Sequence, residues 1–276
     1  PDVCCVGGDS DKGIHLCTPT GESWSSGTSY AAPWISRKMA YLMQVMNLPR
    51  EVAKALIIDS AAGWNFEDDP YMGYGRVPQR IADILGSPND EIRFVLTGLS
   101  EDYETYHYGI PVPISKGGHP YVARATLCYF PKCDRRQGVD YTSTEMDLHF
   151  GRINDKGRIQ ALNKNPQGEK GAHLYESDAR LLYRKWDNVK HIGEVLKERA
   201  RSRKSYSTGM WGIKIRTTER SDKKTGRGMK FGVVVTFKEI NGVNRIDDFI
   251  QQCSLRGWIV TRIDVENRID IYNAAE

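Results

Sequence analysis

Near residue 90 the hydrophobic pattern changes period, and that change divides the chain into two kinds of structure. Before it, apolar residues recur at helical spacing: Ala32, Ile35, Met39, Leu42, Met43 and Met46 fall on one face of "SYAAPWISRKMAYLMQVMN". "LPREVAKALIIDSAAG" reads as a second helix, with Pro49 near its first turn and Ala-Ala-Gly as its stop. "GYGRVPQRIADILGSP" holds a short third helix, closed by Gly86 and Pro88. Ahead of these helices, "PDVCCVGG" reads as a short buried strand entering a glycine turn, and "GIHLCTPT" alternates like a strand. After the change, "IRFVLTGL", "YVARATLCYF", "EMDLHFGRI", "WGIKIRTTE" and "KFGVVVTFKEI" are short runs rich in β-branched and aromatic residues. Gly, Pro, Asp and Asn turns separate them, the pattern of an all-β sandwich. Two helical patterns interrupt the strands, "VKHIGEVLKERARSR" and "RIDDFIQQCSLRG", the latter ending at Gly257; "WIVTRIDVENRIDIY" then returns to strand. The boundary falls in "GSPNDE", giving sections 1–88 and 89–276.

The 276 residues are 39% apolar and 27% charged, a globular rather than a disordered composition. No apolar run approaches the roughly 20 residues needed to cross a bilayer, so no membrane partner is expected. No signal peptide is visible. The sequence opens on Pro1 rather than methionine, as expected of a processed or truncated product, so a missing leader says little about compartment. The six cysteines show no CxxC spacing. Cys4 and Cys5 are adjacent and poorly placed to bond each other. Cys128 and Cys133 are spaced to bridge, but a chain this long needs no staple. The pattern favours free thiols in a reducing compartment, cytoplasmic rather than secreted. No cofactor or metal is expected: there is no dense D-x-D-x-D-G run, and Glu67, Asp68 and Asp69 read as solvated loop charge.

Ser29 sits just ahead of the first helical pattern. A serine there commonly caps the helix through its hydroxyl. Its neighbours suggest another role. Gly27 permits backbone geometry closed to other residues, or close approach by a substrate. Ala31 and Ala32 keep the helix start slim, and Pro33 removes an N–H expected to fall in the first turn. A serine so presented has its own N–H and the helix dipole aimed at a developing oxyanion. The run Gly27-Thr28-Ser29-Tyr30-Ala31-Ala32-Pro33 resembles the GTSxAxP nucleophile motif of subtilisin-like serine proteases. "PDVCCVGGD" resembles the strand that precedes that serine, "VAKALIIDSA" the helix that follows it, and "GYGRVPQRIADIL" the closing turn and helix. Trp34 departs from the pattern, since many members carry His after the proline. The resemblance implies an α/β fold, the C-terminal part of a subtilisin-like parallel-sheet domain, with an all-β sandwich and inserted helices appended. It implies Ser29 as nucleophile, its backbone N–H in the oxyanion hole, Gly27 and Thr28 against the substrate, and a peptide or protein as that substrate.

In that family the triad runs Asp, His, Ser along the chain, and the oxyanion Asn also precedes the serine. The resemblance therefore places Asp, His and Asn upstream of Pro1, and makes the N-terminal part of the same domain an expected partner. Within the chain, Asp59 lies in a helical pattern and reads as a solvated helix residue. His119, followed by Pro120 and Tyr121, reads as a hairpin-turn histidine. His15 is close to Ser29 in sequence, but no motif marks it as a base, and His107, His149, His173 and His191 lack supporting context. A serine without its base is a poor nucleophile. The parent is expected to be a serine endopeptidase and this chain alone to be inactive. The alternative is a non-catalytic binding or regulatory module that retains a vestigial motif.

Residues 179–230 hold 16 Lys/Arg against 5 Asp/Glu, a local excess of +11 in a chain of net charge +4. Aromatic residues are not interleaved in the densest runs and no nucleic-acid motif occurs. These charges read as a solvated helix face and a hairpin loop, and nucleic acid is not an expected partner. Tyr103, Tyr106, Tyr108 and the prolines of "YGIPVPISKGGHPY" read as an exposed hairpin.

Overall fold

The computed structural model describes residues 1–61, 71–88, 90–100, 106–111, 121–136, 141–162, 187–195, 210–219, 226–239, 246–255 and 257. Two compact units divide the chain, one built on Pro1–Gly86 and the other on Ser87–Arg262.

In the first unit, β1 (Ile14–Thr18) and β2 (Gly21–Ser25) pair as an antiparallel hairpin. Their link is Pro19-Thr20, and the Thr18 hydroxyl closes the turn by donating to the Gly21 carbonyl at 2.7 Å. Helix α1 (Thr28–Ala40) runs on into a π-helical turn, Tyr41–Val45, and the chain reverses at Asn47, whose φ is 54°. Helix α2 (Arg50–Asp59) is the centre of the unit. Val52, Ala53, Ala55, Leu56, Ile57 and Ile58 are all buried, and α2 packs against α1, the π-helical turn and the short α3 (Ala82–Leu85). The N-terminal segment is held by backbone bonds: Tyr74 N–H to Asp2 O at 2.8 Å, Cys4 N–H to Gly75 O at 3.0 Å, and Val77 N–H to Cys4 O at 2.9 Å. Lys54 adds an ion pair to Asp2 at 2.7 Å.

This arrangement corrects the expected fold class. The described residues contain no parallel sheet: every named ladder is antiparallel, and the single parallel contact is the isolated bridge between Cys4 and Arg76. Two residues between β1 and β2 are too few for the crossover that parallel neighbours require, so those strands can only pair antiparallel. "PDVCCVGG" does not form the expected buried strand either. It makes one bridge and stays partly exposed, and Gly8, at φ 79°, turns the chain out of extended geometry. Asp59 is buried at 1% exposure, not solvated, because α2 is enclosed on nearly every side.

The second unit is two four-stranded antiparallel sheets closed over one core. The first runs β3 (Glu91–Ser100), β10 (Met229–Glu239), β5 (Tyr121–Tyr129), β8 (Val189–Val195) across the sheet. The second runs β4 (Tyr106–Pro111), β9 (Met210–Glu219), β6 (Thr144–Ile153), β7 (Ile159–Ala161). Alternation sets the faces: Met146, Leu148 and Phe150 of β6 and Trp211, Ile213 and Ile215 of β9 face Ala123, Ala125 and Leu127 of β5 and Val233, Val235 and Phe237 of β10 in one cluster. Helix α4 (Ile246–Leu255) contributes the buried Cys253, and Gly257, at φ 77°, follows its end. Polar links join the sheets within the unit. The Ser100 hydroxyl donates to Thr217 Oγ1 at 3.0 Å, Lys190 pairs with Glu145 at 3.5 Å, and Arg152 reaches Glu194 at 3.7 Å.

"VKHIGEVLKERARSR" is corrected at its start, where Val189–Val195 is strand β8 along the edge of β5. Partners across β5 outweigh its helical spacing. The rest of that run, most of the basic excess of 179–230, Tyr103, His119, His173, the acidic residues Glu67, Asp68 and Asp69, and "WIVTRIDVENRIDIY" lie outside the described residues.

His149 lies half-buried on the outer face of β6, opposite Lys214 and two residues from Asp147. Burial pushes its pKa below the ordinary 6.5; Lys214 and Arg216 push the same way, and Asp147 opposes them. The unfolded chain therefore takes up a proton on this imidazole at higher pH than the folded one, and stability falls as pH drops below about 6.5. His149→Gln is expected to shrink the loss of thermal stability between pH 7.5 and 5.5, read in paired melting curves.

Candidate functional site

The site centres on the start of α1. Gly27 holds the N-cap position with φ 150° and ψ 164°, and no side chain caps the helix. Its N–H donates to the Gly7 carbonyl at 2.8 Å, which ties the "VGG" turn to the helix entry. The approach is close: a Cβ on Gly7 would lie 2.6 Å from the Gly27 oxygen and 3.3 Å from Ala31 Cβ. Thr28 and Ser29 open the helix and both are exposed. Among the described residues the Ser29 hydroxyl makes no hydrogen bond, so it is not spent on a cap. The N–H groups of a helix's first turn have no acceptor within the helix, and the first turn of α1 holds no acidic residue to offset its positive end.

Pro33 is placed differently from its expected first-turn position. It is the sixth residue of α1, where its missing N–H leaves the Ser29 carbonyl without its helical donor. Trp34, the departure from the family pattern, is half-buried, with Lys38 Nζ 5.7 Å and Arg37 Cζ 5.8 Å from its ring centre. Lys38 is the one buried residue of α1, and burial pushes its pKa below the ordinary lysine value. Ala32 is exposed, while Ile35 and Met39 are half-buried, so the apolar face of α1 is only partly covered.

No hydrogen bond joins Ser29 to a histidine among the described residues. His15 is instead committed to the hairpin: its Nε2 lies 3.0 Å from Glu22 Oε2, and its ring stacks on Trp24 at 4.7 Å between centroids. His191 is buried against Thr126 at 3.0 Å, His149 faces outward from β6, and His107 lies in β4. The His15–Glu22–Trp24 group was missed in the sequence. Its signal was available in the alternation of "GIHLC" and "GESWS", which puts these residues on one face of a hairpin. No group of three or more His, Cys, Asp or Glu gathers as a metal site among the described residues.

Gly27→Ala tests the helix entry. The space is open, with Tyr30 Cδ2 at 3.8 Å, but φ of 150° suits glycine alone. The expected cost to the first unit is about 1–3 kcal/mol, read as faster hydrogen exchange in residues 27–31.

No protein-family model matches the chain, and no curated protein matches it. Among solved structures, the chain is similar to the crystal structure of GEBA250068378 from Sulfurospirillum deleyianum, with 13% identity and a TM-score of 0.24. The alignment covers 56% of this chain and 99% of that one. A score that low carries no argument about fold or function.

Proposed function

We propose that the chain is the serine-bearing, C-terminal portion of a serine endopeptidase, with Ser29 as the nucleophile and its backbone N–H as part of the oxyanion hole. One observation carries this reading: an exposed, uncommitted hydroxyl in the first turn of a helix whose N-cap is a bare glycine. The Gly27-Thr28-Ser29 run and its resemblance to the subtilisin-like motif support it, with Gly27 and Thr28 bordering the substrate. The general base, its orienting carboxylate and the oxyanion amide come from a partner segment, the N-terminal part of the same domain. The partly covered face of α1, with Ala32 exposed, suits such a partner. None of the six cysteines is joined in a disulfide, which supports a reducing compartment. No helix among the described residues is long and apolar enough to cross a membrane.

The test is fluorophosphonate labelling of the chain alone and of the chain co-expressed with its upstream coding region. Ser29 is expected to label stoichiometrically only in the pair, and not at all in Ser29→Ala. Removing the Ser or the His of a triad costs roughly a million-fold in kcat, so the isolated chain should be close to inert. Rapid labelling of the isolated chain would show that the missing-base account is wrong. A pair that fails to label would leave the chain as a binding module with a vestigial motif.

A further inference from the structure

We propose that the outward face of the β1–β2 hairpin is a docking ledge for a basic side chain, arginine above all, of an extended peptide. The proposal deepens the peptidase reading by naming a substrate class, and it rests on that reading only for the ledge's use beside Ser29.

The strand alternation builds the ledge. Ile14, Leu16 and Thr18 of β1 are half-buried, while His15 and Cys17 point outward, opposite Trp24 and Glu22 in register. Trp24 is 67% exposed. So large an apolar side chain left in water forgoes the stabilisation that burial would bring, and keeps its indole available at the surface. His15 stacks on the indole with an interplanar angle of 28°, and the 67% exposure of Trp24 leaves much of the side chain accessible to a ligand. Beside it, the Glu22 carboxylate is 77% exposed and held at its position by His15.

An aromatic face beside a carboxylate is what a guanidinium recognises, stacking on the ring and pairing with the oxygens. Local charge agrees. Residues 9–25 contain three carboxylates, Asp9, Asp11 and Glu22, against Lys12 alone, in a chain of net charge +4. Asp9 is engaged in its own loop, where one oxygen accepts the N–H groups of Asp11 at 2.9 Å and Lys12 at 2.6 Å, and Asp11 accepts from the Ser10 hydroxyl at 3.3 Å; Glu22, two residues from Trp24 on β2, is the carboxylate beside the ring. Trp24 precedes Ser29 by five residues, a separation of at most about 17 Å along the chain. An extended peptide crossing the start of α1 can therefore lay a nearby side chain on the ledge.

Two fluorescein-labelled octapeptides test this, one with a single central arginine and one with citrulline there, which keeps the shape and loses the charge. Fluorescence anisotropy with the full chain at pH 7.5 should show the arginine peptide binding about fivefold tighter or more. Trp24→Ala should bring the two within twofold, Glu22→Gln should narrow the gap, and Trp24→Phe should restore part of it. Both positions changed, Trp24 and Glu22, are exposed, and melting curves confirm that the variants fold. Equal affinities in the parent chain, no binding of either peptide, or a preference that survives Trp24→Ala would overturn the proposal. Ser29→Ala should bind as the parent does. Arginine-selective binding by a chain whose Ser29 never labels would support the ledge and fault only the nucleophile assignment.

Discussion

Trp211→Ala is expected to destabilise the second unit by about 3–5 kcal/mol, the largest effect of any single truncation in its core. Trp211 is 1% exposed and forms the middle of an aromatic cluster, 5.1 Å from Phe150 and 5.5 Å from Phe237 between ring centres. Its ring also lies 5.6 Å from the Arg152 guanidinium, which is itself 2% exposed. Truncation would open a cavity and take away the ring on which a buried charge rests, so the two penalties add at one place. The measurement is urea unfolding followed by fluorescence of the remaining tryptophans. A midpoint within 0.5 M of the parent would mean that the sheets close without this cluster. Trp211→Phe, which keeps a ring, should recover much of the loss.

The second large effect is expected at Gly73, in the first unit. Its φ is 59°, where an L side chain is strained, and a Cβ there would run into the carbonyl oxygens of Pro1 and Asp2. Those are backbone atoms and have no rotamer through which to yield. Gly73→Ala should therefore push residues 1–4 away and break the bonds from Tyr74 to Asp2, from Cys4 to Gly75 and from Val77 to Cys4. Strain of about 1–2 kcal/mol and three backbone bonds of about 0.5–1.5 kcal/mol each put the cost at about 2.5–6.5 kcal/mol. Cys4 reports the outcome directly: its thiol should react with a maleimide probe faster in the variant. An unchanged rate would show that the N-terminal segment stays in place despite the clash. This experiment also bears on the site, since the same segment leads to Gly7, whose carbonyl accepts the Gly27 N–H ahead of Ser29.

Both effects concern positions whose importance was unequally legible. The aromatic and β-branched runs containing Trp211, Phe150 and Phe237 mark strands by composition and alternation, which are local properties. Which strand lies beside which is not local. β3 pairs with β10 across more than a hundred residues, and β8, read from its spacing as a helix, becomes a strand because β5 offers it an edge. Gly73 looks like any turn glycine until the N-terminal segment is seen against it.

The site divides in the same way. The exposure of Ser29 at a helix start follows from "GTSYAAP" itself, because glycine entry and small residues act within one turn. The sequence alone thus determined most of the described helical and strand-forming runs, β8 and "PDVCCVGG" excepted, together with the change of period near residue 90 and the hydroxyl at the head of α1, all set by interactions between residues a few positions apart. Only the tertiary structure decided that the sheets are antiparallel, that Asp59 is enclosed, that Pro33 falls beyond the first turn, and that His15 belongs to Glu22 and Trp24. Each of these depends on what a residue meets from elsewhere in the chain, or on where an element begins, and neither is written in local spacing.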